Sequence, residues 1–151
     1  LGSDGMAGEL GHFMVVPNGR PCGCGRNGCL EAYASSTALI KQYLEKADKK
    51  ESITAKDVVD RWQKGDPIAT EVMENTIEIL GWSLANFVTI HSPSMIVLFG
   101  GWAQSGEAVM GKIRHSFESN LLKIYRGKVE LVPSLLAGSD AALLGAASLG
   151  F

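Results

Sequence analysis

Apolar residues recur every three or four positions over much of this chain, a spacing that predicts amphipathic helices. The first helical stretch runs from Leu30 to about Asp48, with lysines and glutamates on its other faces. Next, Thr54 with Asp57 three residues later resembles a capping box, which predicts a short helix ending near Lys64. The apolar positions of the first stretch are Leu30, Tyr33, Ala34, Ile40, Tyr43 and Leu44.

A longer helix is predicted from Asp66-Pro67 to about His91. Aspartate is a favoured N-cap, and proline suits the first helical position because its missing N–H would have no partner there. Gly81 lies in the middle of this helix and costs up to about 1 kcal/mol relative to alanine. We therefore expect close packing against another element at Gly81.

Other segments predict β-strands. Residues 9–16 fit a strand that leads into a turn at Pro17-Asn18-Gly19. The run Ser94–Phe99 is continuously apolar and is followed by two glycines, a pattern typical of a strand buried on both faces. The remaining predicted elements are a helix from about Gly106 to Leu122, a strand at Val129–Val132 and a last helix over 138–149 that Asp140 can cap.

The composition fits one folded domain, since 46% of the 151 residues are apolar. The 14 basic and 16 acidic side chains give a formal net charge of −2, with no basic stripe that would follow a phosphate backbone. We therefore do not expect this segment to bind nucleic acid directly. No apolar run reaches the roughly 18 to 20 residues of a membrane helix, so no membrane association is expected.

All three cysteines lie close together, at Cys22, Cys24 and Cys29, ten or more residues after His12. Three thiols and one imidazole make up a tetrahedral zinc ligand set, and the glycines between them permit sharp turns. Two alternatives are open. A disulfide would leave one cysteine unpaired and strain a Cys22–Cys24 bridge, and a C-x-C redox pair would explain neither Cys29 nor His12.

Two carboxylates flank these residues, Glu9 before His12 and Glu31 after Cys29. A metal that holds His12 and Cys29 would also hold both carboxylates nearby, where they can accept hydrogen bonds from hydroxyl groups. The second imidazole nitrogen of His12 would be free for a ligand hydroxyl. The alternative is structural: Glu9 is then a solvated acid, and Glu31 complements the positive end of the following helix.

Glu-x-Gly-His followed by Cys-x-Cys-Gly-x-x-Gly-Cys-x-Glu resembles the signature of the ROK family of repressors, uncharacterised reading frames and sugar kinases. The resemblance implies a structural zinc on His12, Cys22, Cys24 and Cys29, and sugar contacts from Glu9, His12 and Glu31. It also implies the fold class: α/β, an actin-like ATPase (ribonuclease H-like) domain, of which residues 1–151 form the C-terminal large-domain portion, with a zinc knuckle inside the motif at 9–31. The chain opens at Leu1 within a glycine-rich passage, which we interpret as the later part of a longer polypeptide.

The segments 95–102 and 138–149 resemble the family's nucleotide-side motifs, which implies adenosine contacts at Gly100, Gly101, Gly138 and Ser139. Trp102 stands where that motif has a small residue. The family's phosphate loop, catalytic aspartate and second glycine-rich phosphate turn match nothing in these residues. We therefore expect no catalytic residue in this chain and no kinase activity from this segment alone.

Three functions are compatible with this interpretation. The first is an ATP- and Mg²⁺-dependent hexokinase of the glucokinase or N-acyl-hexosamine kinase type. The second is a sugar-sensing transcriptional repressor of the same family, and the third is a zinc-stabilised interaction domain. Reduced cysteines at a metal favour the cytoplasm, and the resemblance implies a homodimer.

Overall fold

The computed structural model describes residues 3–136 and 140–148. It has mixed α/β content, with helices along most of the chain and short parallel strands in its second half. In chain order the elements are a 3-10 helix (Leu10–His12), α1 (Glu31–Ala34), α2 (Ser36–Ala47), α3 (Ala55–Gln63), α4 (Pro67–His91), β1 (Met95–Leu98), α5 (Glu107–Asn120), β2 (Glu130–Pro133) and α6 (Asp140–Ser148).

Helix α4 is the centre of the core. Asp66 caps it by accepting a hydrogen bond from the backbone N–H of Ala69, and Pro67 occupies its first turn, as predicted. The close packing expected at Gly81 is confirmed, because a Cβ there would lie 2.2 Å from Oγ of Ser116 on α5. Among the helices that the structure describes, none combines the length and apolar character needed to span a bilayer.

The predicted capping box at the start of α3 is confirmed. The backbone N–H of Asp57 donates to Oγ1 of Thr54, and the carboxylate of Asp57 accepts from the backbone N–H of Thr54. The helix begins at Ala55, directly after the predicted cap, and ends at Gln63, one residue before the predicted end.

One continuous helix from Leu30 to about Asp48 was expected, and this prediction is wrong at Ser35. The backbone of Ser35 is extended, with φ −74° and ψ 156°, and its Oγ accepts a hydrogen bond from the N–H of Ala38. Serine side chains compete with the helix for backbone donors in this way. The result is a separate one-turn helix, α1, that carries Glu31.

The strand predicted over residues 9–16 is also wrong. Leu10–His12 form a 3-10 turn, and the chain becomes extended only afterwards, where Met14 and Cys29 form an isolated antiparallel bridge. The ring of Phe13 packs edge-on against Phe87 of α4 at 5.6 Å between centroids. The turn exists because the N–H of His12 bonds back to the carbonyl of Glu9 rather than to a neighbouring strand.

Strands β1 and β2 pair in parallel, with Ile96 opposite Leu131 and Val97 opposite Val132. Burial of β1 on both faces was expected, and the described chain does not provide it. Val97 is 55% exposed, whereas Ile96 and Leu98 are half-buried against the core. Within residues 3–136 and 140–148, the core packs against only one face of the sheet that β1 and β2 form.

Candidate functional site

The loop from Cys22 to Cys29, here called the cysteine loop, is folded tightly on itself. The N–H of Cys22 donates to the carbonyl of Arg26 at 2.8 Å, and the N–H of Gly25 donates to the carbonyl of Cys22 at 3.1 Å. Gly25 and Gly28 have φ of +85° and +80°, values that side chains rarely permit. A Cβ on Gly28 would lie 1.8 Å from the carbonyl oxygen of Val16, so only glycine fits.

This fold brings the four predicted metal ligands together. One side-chain atom from each of His12, Cys22, Cys24 and Cys29 lies within 4.8 Å of all the others. Sγ of Cys24 is 3.6 Å from Sγ of Cys29, and Nδ1 of His12 is 3.6 Å from Sγ of Cys22. Two sulfurs on one tetrahedral zinc, each bound at about 2.3 Å, would be about 3.8 Å apart. The group could therefore hold a metal ion, and the three cysteines are free thiols.

The three thiols differ in acidity. The backbone N–H of Arg26, followed by its side chain, lowers the pKa of Cys24 to about 6. Burial, followed by hydrogen bonds to the other two thiols, raises the pKa of Cys29 to about 11. One thiol of the set is therefore a good anionic ligand at neutral pH, and a metal ion must displace the proton of the buried one.

Arg26 was missed by the sequence reasoning. Besides its effect on Cys24, its guanidinium donates to the carbonyl oxygen of His12 at 2.6 Å. It therefore connects the cysteine loop to the histidine segment, independently of any metal. The signal available in the sequence was a cationic side chain between closely spaced thiols.

Glu31 begins α1, two residues after Cys29. Its Oε1 lies 3.7 Å from Sγ of Cys22, so its carboxylate borders the metal-ligand group. The Cβ of Glu31 would be 3.8 Å from a Cβ on Gly11, which places Glu31 beside the segment between Glu9 and His12. Glu9 precedes the 3-10 turn and its backbone carbonyl accepts from the N–H of His12 at 3.0 Å. Both glutamate side chains are exposed, and a ligand from solvent could reach them.

The structure describes two of the four predicted nucleotide residues, Gly100 and Gly101. Gly100 has φ +82°, and a Cβ on Gly101 would lie 3.1 Å from Oγ of Ser36. Gly101 borders a cavity of about 170 Å³ between the loop after β1 and the helices α2 and α3. Gly138 and Ser139 lie outside the described residues, as does the side chain of Asp140 and hence its predicted capping role. The cavity is lined by Ser36, Leu39, Ala55, Lys56, Val59, Gly101, Trp102, Gln104 and Ser105.

Comparison with known proteins places these features in context. The chain is 35% identical to a glucokinase from Thermotoga maritima, with 98% of this chain and 50% of the glucokinase covered. It is 33% identical to a xylose repressor from Bacillus spizizenii, over 98% of this chain and 38% of the repressor. The chain thus spans half the length, or less, of these relatives.

The fold is likewise similar to that of solved proteins. A ROK family glucokinase from Streptomyces griseus, solved in complex with glucose and AMPPNP, superimposes with a TM-score of 0.81 at 32% identity. That match covers 95% of this chain and 51% of the solved chain. The family model described as "ROK family" matches residues 1–150. Since that match takes in nearly the whole sequence, this chain belongs to the ROK family.

Proposed function

We propose that this chain supplies the sugar-binding part of an ATP-dependent hexokinase of the glucokinase or N-acyl-hexosamine kinase type. The observation that carries the proposal is the 3.7 Å distance between Oε1 of Glu31 and Sγ of Cys22. It places an exposed carboxylate, which could accept a hydrogen bond from a hydroxyl, directly beside a metal-ligand group, in a chain whose relatives include glucokinases.

The four-ligand group holds zinc in this proposal, because three thiols and one imidazole match the ligand preference of that ion. A zinc ion bound there would be structural and would fix the cysteine loop. His12 uses Nδ1, the nitrogen 3.6 Å from Cys22, on the metal side. Its Nε2 is then available to a sugar hydroxyl, and the metal fixes the orientation of the ring.

Glu9 and Glu31 accept hydrogen bonds from neighbouring hydroxyls of the hexose, and His12 contacts a third. Three contacts hold the reactive hydroxyl in one orientation, which raises its effective concentration toward the γ-phosphate of ATP. Mg²⁺ bound together with ATP would neutralise the charge of the transferred phosphate. The aspartate that removes the hydroxyl proton belongs to a part of the kinase outside residues 1–151.

The adenosine side of ATP is assigned to Gly100 and Gly101 and, in the same proposal, to Gly138 and Ser139. Support comes from the cavity beside Gly101, since a strand that ends in two glycines lets a ligand approach the backbone closely. Ligands of open α/β sheets collect beyond the carboxyl ends of the strands, and this loop follows the carboxyl end of β1.

Calorimetry with glucose and N-acetylglucosamine on the zinc-loaded protein, expressed from its complete gene, tests the sugar site. Glu31→Gln removes the charge of a hydrogen-bond acceptor worth about 1.5–3 kcal/mol, so the Kd should rise by about 10- to 150-fold. Glu78→Gln, an equal change at an exposed position of α4, should leave the Kd unchanged. Equal affinities of wild type and Glu31→Gln would reject the sugar role of Glu31.

A sugar-sensing repressor is the second candidate, favoured by the 33% identity to the xylose repressor of Bacillus spizizenii. Sugar-dependent release of ADP from ATP by the complete protein identifies a kinase. Sugar-dependent release of a DNA operator without ADP formation identifies a repressor. Residues 1–151 alone should do neither.

A further inference from the structure

Helix α1 has a single turn, and a helix this short is not stable by itself in water. Its position therefore depends on contacts from outside the helix: the burial of Tyr33 and Ala34 in the core, and the groups that bind its last carbonyls, which have no partner within the helix. Nε2 of Gln42 donates to the carbonyl of Tyr33 at 3.0 Å, and Oγ1 of Thr76 donates to the same oxygen at 3.5 Å. Nε1 of Trp102 donates to the carbonyl of Ala34 at 2.7 Å.

These three donors differ in where they are attached. Gln42 and Thr76 are 5% and 0% exposed, and both belong to long helices of the core. Trp102 instead lies on the loop after β1, is half-buried, and lines the cavity beside Gly101. Trp102 is therefore the one of the three that a ligand in that cavity would contact directly.

The loop that carries Trp102 is a compact unit. The N–H of Gln104 donates to the carbonyl of Gly100 at 3.3 Å, and Oγ of Ser105 donates to the carbonyl of Trp102 at 2.6 Å. A ligand that packs against Gly101 would restrict this whole unit, and with it the indole ring. The indole N–H would then hold the end of α1 more firmly, while Glu31 lies at the other end of the same turn.

We propose that Trp102 is a positioning residue that couples occupancy of the cavity beside Gly101 to the affinity of Glu31 for a sugar hydroxyl. The inference rests on the proposed sugar and nucleotide sites. The coupling is positive, because the ligand that binds first already orders the loop and α1. The second ligand then loses less conformational entropy when it binds. Linkage then requires the sugar to raise nucleotide affinity by the same factor.

The test measures the Kd of glucose in the presence and absence of saturating AMPPNP, using the zinc-loaded protein expressed from its complete gene. In wild type the nucleotide analogue should lower the Kd of glucose at least about fivefold, the low end of typical coupling. Trp102→Phe keeps an aromatic side chain but removes the indole N–H, and its ratio of glucose Kd without and with AMPPNP should fall below about twofold. Trp82→Phe is the same substitution on α4, away from the cavity, and should retain the wild-type ratio.

A second measurement covers the case in which Trp102→Phe does not fold. Hydrogen exchange of wild type should slow at the amide of Ser35, which bonds to the carbonyl of Glu31, when AMPPNP alone is added. Unchanged exchange there, or a wild-type coupling ratio in Trp102→Phe, overturns the inference while leaving the sugar site intact. Absence of any glucose binding instead rejects the proposed function, and the inference falls with it.

Discussion

Nδ1 of His12 lies 3.6 Å from Sγ of Cys22, the separation expected of two atoms that share one tetrahedral zinc ion. The contact joins a 3-10 turn to a loop ten residues away, and the same Sγ of Cys22 lies 3.7 Å from Oε1 of Glu31. Removal of either partner should thus change metal content and carboxylate geometry together.

Metal content is the first prediction. The purified protein should hold about one zinc per chain, and His12→Ala should lose most of it and unfold at a lower temperature, because structural zinc contributes to folding. His115→Ala changes an exposed histidine on α5 and should keep the zinc. Elemental analysis with thermal unfolding measures both, and full zinc content in His12→Ala would contradict this ligand assignment.

The cysteine loop offers a matched pair of glycines. Gly28→Ala forces a side chain into φ +80° and against the carbonyl of Val16, so we expect a loss of at least about 1–3 kcal/mol and weakened zinc retention. Gly23→Ala meets no atom within 4 Å and should change the free energy of unfolding little. Urea denaturation compares the two, and equal effects would contradict the loop geometry.

Helices α4 and α5, which pack against each other, provide a second matched pair of glycines, Gly81 and Gly111. Gly81→Ala gains helix propensity of up to about 1 kcal/mol, yet its Cβ would collide with Ser116, and overpacking costs about 1–3 kcal/mol. We expect net destabilisation. Gly111→Ala on α5 meets only Oε1 of Glu107 at 4.0 Å, so propensity should prevail and stabilise the protein. Chemical denaturation should therefore give changes of opposite sign, and a stabilised Gly81→Ala would refute close helix packing.

The lowered pKa of Asp66 predicts that the stability of the protein depends on pH. The backbone N–H of Ala69, followed by the hydroxyl of Tyr43, lowers the pKa of Asp66 in the folded state. Because the folded pKa lies below the unfolded value of about 3.9, its stabilisation is complete well above that pH and is lost as pH falls through the folded pKa. Asp66→Asn keeps a capping side chain but cannot titrate, so its deficit relative to wild type should shrink on acidification.

The control for this prediction is Asp66→Ala, which also removes the cap. It should be less stable than Asp66→Asn by about 0.5–2 kcal/mol, including at low pH. Urea denaturation at pH 7 and at pH 3 measures all three proteins. A gap between wild type and Asp66→Asn that stays constant with pH would exclude a role for the ionised carboxylate.

Elements with local signals were predictable from the chain. Two examples are the capping box at Thr54 and Asp57 and the start of α4 at Asp66-Pro67. Both depend on contacts between residues three positions apart, so the sequence alone predicts them. The break at Ser35 was not, because a serine within an apolar periodicity can either continue a helix or cap the next one. Packing of Tyr33 and Ala34 against the core selected the second outcome.

The amino-acid order by itself determined the ligand types, the glycines of the cysteine loop and the long helices, since these follow from side-chain chemistry and near-neighbour contacts. Only the tertiary structure decided that the guanidinium of Arg26 donates to the carbonyl of His12. The tertiary structure also decided that Nε1 of Trp102 donates to the carbonyl of Ala34, 68 residues away in the chain. Hydrogen bonds between distant segments leave no periodicity in a sequence, because which carbonyl a donor meets depends on how the whole core packs.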